Sequence, residues 1–331
     1  MDRSQRSVSA CIALFFTAPL VAEYLLGDLS IKMLAALVML APMYGGGALL
    51  IREVVRRTGR GWVSMLLLGA AYTLIEEGFT TQSLFNPDYL KMHMHLLSHA
   101  WIPALGIGAW WTLFMFNLHT FWSMGVSIAL VEALFPARAE QPWLGWLGDS
   151  IVAVLFLLGC AWGTAYQLRH DRFLASPAQF IWVGVGCVAF IVLAFLAPRR
   201  RPRTLPGETP SPWFTGVLAL VLGLGVMFTP PFLNWGAFAL ILAMDVIFLA
   251  LVGAFSRLAT WTLLHTFSLG AGGALAYGLH AFVAPPLFGG WLVARVSNAI
   301  FLAAAVAIIV AGARRTERAL RATAIAQVVA P

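Results

Sequence analysis

The chain has 331 residues, of which 60% are hydrophobic and 11% charged, and its mean hydropathy is +0.84. A soluble globular chain carries about a quarter charged residues, so composition excludes that class and points to an all-α polytopic membrane protein in a lipid bilayer. The net charge of +7 would suit nucleic acid, but the basic residues fall in short segments beside apolar runs, where headgroups and topology account for them and no nucleic-acid partner is expected.

A spanning helix needs about 20 mostly apolar residues. Runs and breakers predict ten, at 8–26, 31–51, 61–80, 110–135, 144–167, 178–197, 212–229, 233–254, 259–282 and 290–312. The gaps hold Gly27-Asp28, Thr58-Gly59, Pro136, Pro230-Pro231 and Pro285-Pro286, all turn signals. The first run follows the basic MDRSQRS but leads to Glu23 and Tyr24 without a small-x-small cleavage site, so it reads as a span and not as a removable leader. With the N-terminus inside, 16 of the 21 Lys and Arg residues fall in inner segments. That asymmetry predicts an inner-membrane protein with both termini cytoplasmic. Cys11, Cys160 and Cys187 lie within apolar runs without metal spacing and read as small packing residues. The organisation expected is an N-terminal five-helix half over 1–175 with an insertion at 83–109, a second half over 176–313, and a cytoplasmic tail over 314–331. The basic, proline-rich loop 199–212 divides the halves.

Two later helices resemble two earlier ones. HTFWSMGVSIALVEALF from His119 aligns with HTFSLGAGGALAYGLHAF from His265, and Gly145-Trp146-Leu147 with Gly290-Trp291-Leu292. A separation of five helices would turn the copies over in the bilayer, so the expectation is an inverted 5+5 repeat, an arrangement used by secondary transporters. Shared small-residue packing is the alternative source of the likeness.

Candidate chemistry follows in chain order. Tyr44-Gly45-Gly46-Gly47 would let a helix unwind or a neighbour approach closely. Glu76 and Glu77 end the third span in LIEEGFTTQ. A charge within a span costs about 2.5–3.5 kcal/mol and usually faces a cavity or partner. Adjacent helical residues diverge by about 100°, so one glutamate points inward while the other flanks it. Two carboxylates this close suit a general base, or else an interfacial pair facing headgroup water. In the insertion, His95 and His99 would share a helix face and could bind zinc or iron, with Asp88 and His93 nearby; an amphipathic surface helix with hydrated histidines is the other reading. Asn117, His119, Thr120 and Ser123 give the fourth span a polar stripe, and His119 could pair with a glutamate as acid or oxyanion donor. Glu132 and Asp149 are expected in water near the inner interface. Asp245 lies mid-span, with His265 and Arg295 as candidate partners, either as a helix-pinning pair or as a proton or ion site.

A Glu-Glu pair in a membrane helix, with a histidine on a later helix, resembles the CPBP family of intramembrane proteases. The resemblance implies that paired glutamates and histidines activate water for peptide cleavage in the membrane, with Glu76, Glu77 and His119 as the matching residues. It covers about spans three and four. The arginine expected four residues after the second glutamate is Thr81, the phenylalanine before the histidine is Met115, and the third motif fails at Leu269. Three functions stay open: a CPBP-like hydrolase acting on a membrane peptide, a secondary transporter of a small solute with an ion or proton site at Asp245, and a membrane protein without catalysis or transport.

Overall fold

The computed structural model describes residues 3–199 and 205–329. Arg200, Arg201 and Arg203 of the expected dividing loop lie outside the described residues. Among the described residues ten long helical segments follow one another, labelled here α1 (Arg3–Pro19, continuing through Leu20–Leu25), α2 (Ile31–Arg57), α3 (Trp62–Leu74, continuing through Ile75–Thr80), α4 (Ala109–Leu134), α5 (Trp146–His170), α6 (Pro177–Leu196), α7 (Pro212–Phe228), α8 (Trp235–Phe255), α9 (Leu263–His280) and α10 (Trp291–Val329). Their breaks fall where the turn residues do. Seven are long and apolar enough to cross a membrane: the α1 stretch Val8–Leu25, then α2, α4, α5, α6, α8 and α10. α5, α6, α8 and α10 leave most of their apolar surface uncovered, as lipid-facing helices do. The chain is therefore an all-α polytopic membrane protein.

Two departures from the sequence reading stand out. α10 does not stop near residue 312 but runs unbroken to Val329, so most of the segment expected as a tail is helix. The insertion is not an amphipathic helix. It folds as short 3-10 turns and a hairpin, β1 (Trp101–Ile102) against β2 (Ile107–Gly108). Positive φ at Leu90, Lys91, His93, His95 and Ala100 breaks any helical path.

Cross-links fix two ends of the bundle. At the arginine end, Arg52 donates to the carbonyls of Arg138 and Ala139, Arg57 to Asp149 and Arg315 to the carbonyl of Leu134. At the other end, Asp171 gathers Asn86 Nδ2 (2.8 Å), Gln167 Nε2 (2.6 Å), the Leu90 amide (2.8 Å) and His170 Nδ1 (2.8 Å), tying the insertion to α5. Burial pushes the Asp171 carboxyl up, but those donors outweigh it and hold it below the ordinary value. A depressed folded-state pKa gives stability that is whole above about pH 4 and lost as the pH falls through the lower folded value. Asp171→Ala is expected to cost about 1–3 kcal/mol of local stability. Amide hydrogen exchange should then speed up over residues 86–93, with α1 to α4 unchanged.

The Tyr-Gly-Gly-Gly stretch serves close approach. A Cβ at Gly45 would sit 2.0 Å from the Phe15 carbonyl oxygen on α1, while Gly47 faces the Tyr72 ring. Gly45→Ala is expected to cost roughly 1–3 kcal/mol, because the obstacle is backbone and cannot swing away. Gly253→Ala meets nothing within 4 Å and should be neutral or slightly stabilising in a thermal melt.

The two halves pack differently. α4 packs on α1, α3 and α9 alike and little on α2, whereas α9 lies chiefly on α7. His119 is in the middle of its helix and His265 in the first turn of its own, so the segment 109–118 has no counterpart in α9.

Candidate functional site

Four helices widen into π-type turns: Leu20–Leu25 in α1, Ala41–Gly45 in α2, Ile75–Thr80 in α3 and Asn117–Val126 in α4. Local sequence favours each break. Pro19 and Pro42 remove backbone donors at the first two, and Gly78 and Gly125 lie in the others. Such turns re-aim side chains and recur at functional sites. Here they present Glu23, Tyr44, Glu76 with Glu77, and His119 to one another.

His119 joins the two glutamates. Its Nε2 lies 2.8 Å from Glu77 Oε1 and its Nδ1 3.0 Å from Glu76 Oε2. All three residues are buried, at 5%, 5% and 2% exposure for His119, Glu77 and Glu76. Glu77 is fully engaged: its Oε2 accepts from Thr81 Oγ1 at 3.1 Å and from the Ser83 hydroxyl. Glu76 is not. His119 Nδ1 has Ser123 Oγ as its hydrogen-bond partner at 3.3 Å, and Glu76 Oε2 is left buried without one. The Tyr72 hydroxyl is orphaned in the same way, and its ring centroid lies 6.2 Å from that of His119. Tyr44 stacks on the other side of His119, centroids 6.0 Å apart, and donates from its hydroxyl to Glu23 Oε1 at 2.6 Å. An orphaned buried carboxylate oxygen is costly unless water or a ligand meets it.

One ligand atom each from Glu76, Glu77 and His119 lie within 4.8 Å of one another, close enough to share a metal ion. Two oxygens and one imidazole suit zinc, manganese or ferrous iron. The histidine pair considered for a metal in the insertion lacks the geometry that motivated it. His95 has left-handed φ 51° and is exposed, His99 is extended and packs edge-on against Trp110, and no helix aligns them.

Asp245 takes neither expected partner. It accepts from Asn117 Nδ2 at 2.9 Å. His265 caps α9 through Thr262 and bonds Thr209 at the arginine end. Arg295 donates to the Ala281 carbonyl at the opposite end. Asp245 is mid-helix, some ten residues from either end of α8, so each residue is about 15 Å of helix rise away. Asp245 and Asn117 instead line a cleft of about 360 Å³ between α3, α4, α7, α8 and α9. α4 stands between this cleft and the glutamate cluster: Asn117 faces the cleft and His119 the cluster.

Glu132 is not in water, while Asp149 keeps 18% of its side chain exposed. Glu132 is wholly buried between Arg52 and Arg56, at 3.0 and 2.6 Å, and Asp149 binds Arg57 at 2.6 Å. The sequence reading also passed over Glu23 and Tyr44 as site members. The available signal was Glu23 itself, a charge within an apolar run, and a tyrosine set beside three glycines.

A family model described as "Uncharacterized membrane protein family" matches residues 12–328. No curated protein and no solved structure matches the chain.

Proposed function

The chain belongs to an uncharacterized membrane protein family, and from that premise we propose that it is an intramembrane hydrolase in which Glu76, Glu77 and His119 activate water against a membrane peptide. The observation that carries this reading is the His119 bridge, with Glu76 at 3.0 Å and Glu77 at 2.8 Å inside the bundle. Glu77 is held by three donors and orients the imidazole. Glu76 keeps a buried oxygen without a hydrogen bond, the place for a water whose proton it takes. His119, set between the acids, donates to the oxyanion or to the leaving group. All ten helices are read as spans in this account, with both termini cytoplasmic. The test reconstitutes the protein with membrane polypeptides in vesicles and labels new N-termini. Cleavage products with the wild type that vanish with Glu76→Gln support the reading, and an identical set with both proteins overturns it.

A second reading has its own observation. The cleft ending at Asp245 is what a secondary transporter would place at the midplane. Solute accumulation lost in Asp245→Asn, with cleavage intact, would favour it. The unlike packing of the two halves does not follow the inverted repeat, so the second reading rests on the cleft alone.

A further inference from the structure

Two acids line the cleft: Glu140 at the arginine end, where Arg56 also lies, and Asp245 in α8. Asp245 sits at its deep end, half-buried in the middle of α8, with the Asn117 amide at 2.9 Å as its hydrogen-bond partner. Among the described residues no Lys, Arg or His comes within ion-pair distance of it. From there the cleft runs along α8 to Ser256 at the arginine end, a rise of roughly 16 Å. Arg56 lines that end, but its guanidinium is committed to Glu132 at 2.6 Å. Between the two ends the walls are apolar and aromatic.

The aromatic rings are fixed. Trp122 stacks on Tyr277 with centroids 4.8 Å apart, and its Nε1 donates to the Gly273 carbonyl at 2.9 Å. Phe121 and Phe248 meet edge-to-face at 5.7 Å. Gly223 lets α7 approach the Trp122 ring closely: a Cβ there would lie 3.1 Å from it. A carboxylate at mid-membrane depth needs a counter-charge, and rigid aromatic faces attract cations. One carboxylate and one amide fall well short of the six or more oxygens that a hard metal ion takes. A volume of about 360 Å³ is within the range of small-molecule sites.

We propose that this cleft binds a hydrophobic organic monocation, its charge against Asp245 and its body between Trp122, Phe121 and Phe248. The occupant named here is the solute class for the transport reading, but the site does not depend on either reading of function, because binding is measured at equilibrium without turnover or flux.

The test uses the purified full-length protein in an uncharged detergent, with radiolabelled tetraphenylphosphonium as the probe in equilibrium dialysis. Saturable binding of one cation per chain is expected. Asp245→Asn, which keeps shape and can still accept from Asn117, should weaken it at least about tenfold, while Asp245→Glu should retain it. Tetraphenylborate, of the same shape and opposite charge, should not compete on the wild type. No saturable binding, equal competition by tetraphenylborate, or unchanged affinity in Asp245→Asn would each overturn the proposal. Equal competition would instead mark the cleft as a seat for an uncharged body such as an acyl chain. The tetraphenylborate comparison needs no variant, so it stands even if Asp245→Asn folds poorly.

Discussion

Glu76→Gln is expected to lower the rate of peptide cleavage by about 10²- to 10⁴-fold, the usual contribution of a positioned general base. The substitution preserves volume and leaves untouched the bonds that hold Glu77, because His119 Nε2, Thr81 and Ser83 all address Glu77 and not Glu76. Thermal stability should therefore stay near that of the wild type, and the loss should appear in kcat with KM little changed. His119→Ala should behave differently. It removes the group between two buried carboxylates and leaves them facing each other. A fall in both activity and melting temperature is expected there, against a fall in activity alone for Glu76→Gln.

Arg52→Ala is expected to cost about 3–5 kcal/mol, the penalty for breaking a buried ion pair from one side. Arg52 has no exposed surface. Its Nε reaches Glu132 at 3.0 Å, its Nη1 reaches Glu53 at 2.7 Å, and its Nη2 donates to the carbonyls of Arg138, Ala139 and Gln141. The guanidinium carbon also lies 3.3 Å from the centroid of the Trp143 ring. Glu53 in turn accepts from the Trp143 and Leu144 amides. One side chain thus ties α2 to α4 and to the turn before α5. Lysine cannot reproduce the planar fork or the stacking, so Arg52→Lys should recover only a small part of the loss in a detergent melt. The variant Arg52→Met with Glu132→Leu should be damaged further than Arg52→Ala, because Arg56 then loses its Glu132 partner at 2.6 Å and stays buried without a counter-charge.

Helix positions were legible because apolar runs and their Gly and Pro breaks are local. The helices begin and end within a few residues of those breaks at Gly27, Pro136 and Pro230. Glu76, Glu77 and His119 were legible as candidates because charge and imidazole are rare in such runs. Their meeting was not, since it depends on π-type turns that no propensity rule signals. Tyr44 and Glu23 were missed for the same reason, being brought in by turns on α1 and α2. Arg52 and Arg56 read as topology determinants in the sequence. Their burial against Glu132 is a tertiary pairing across 80 residues of chain, beyond any local pattern. The histidines of the insertion failed in the opposite direction. A four-residue spacing means a shared face only on a helix, and left-handed turns at His93 and His95 replace the helix. Asp245 was legible as a residue needing a partner. Which partner it takes was decided by depth: Asn117 lies level with it, while His265 and Arg295 lie near opposite ends of the bundle.

In the proposed hydrolase, water held at Glu76 attacks a peptide bond. Mass spectrometry of cleavage products formed in H₂¹⁸O by the reconstituted protein tests it most directly. Each new C-terminal carboxyl should carry one ¹⁸O atom with the wild type, and these labelled products should be missing with Glu76→Gln. Labelled products of equal abundance with both proteins, or none with either, would contradict it.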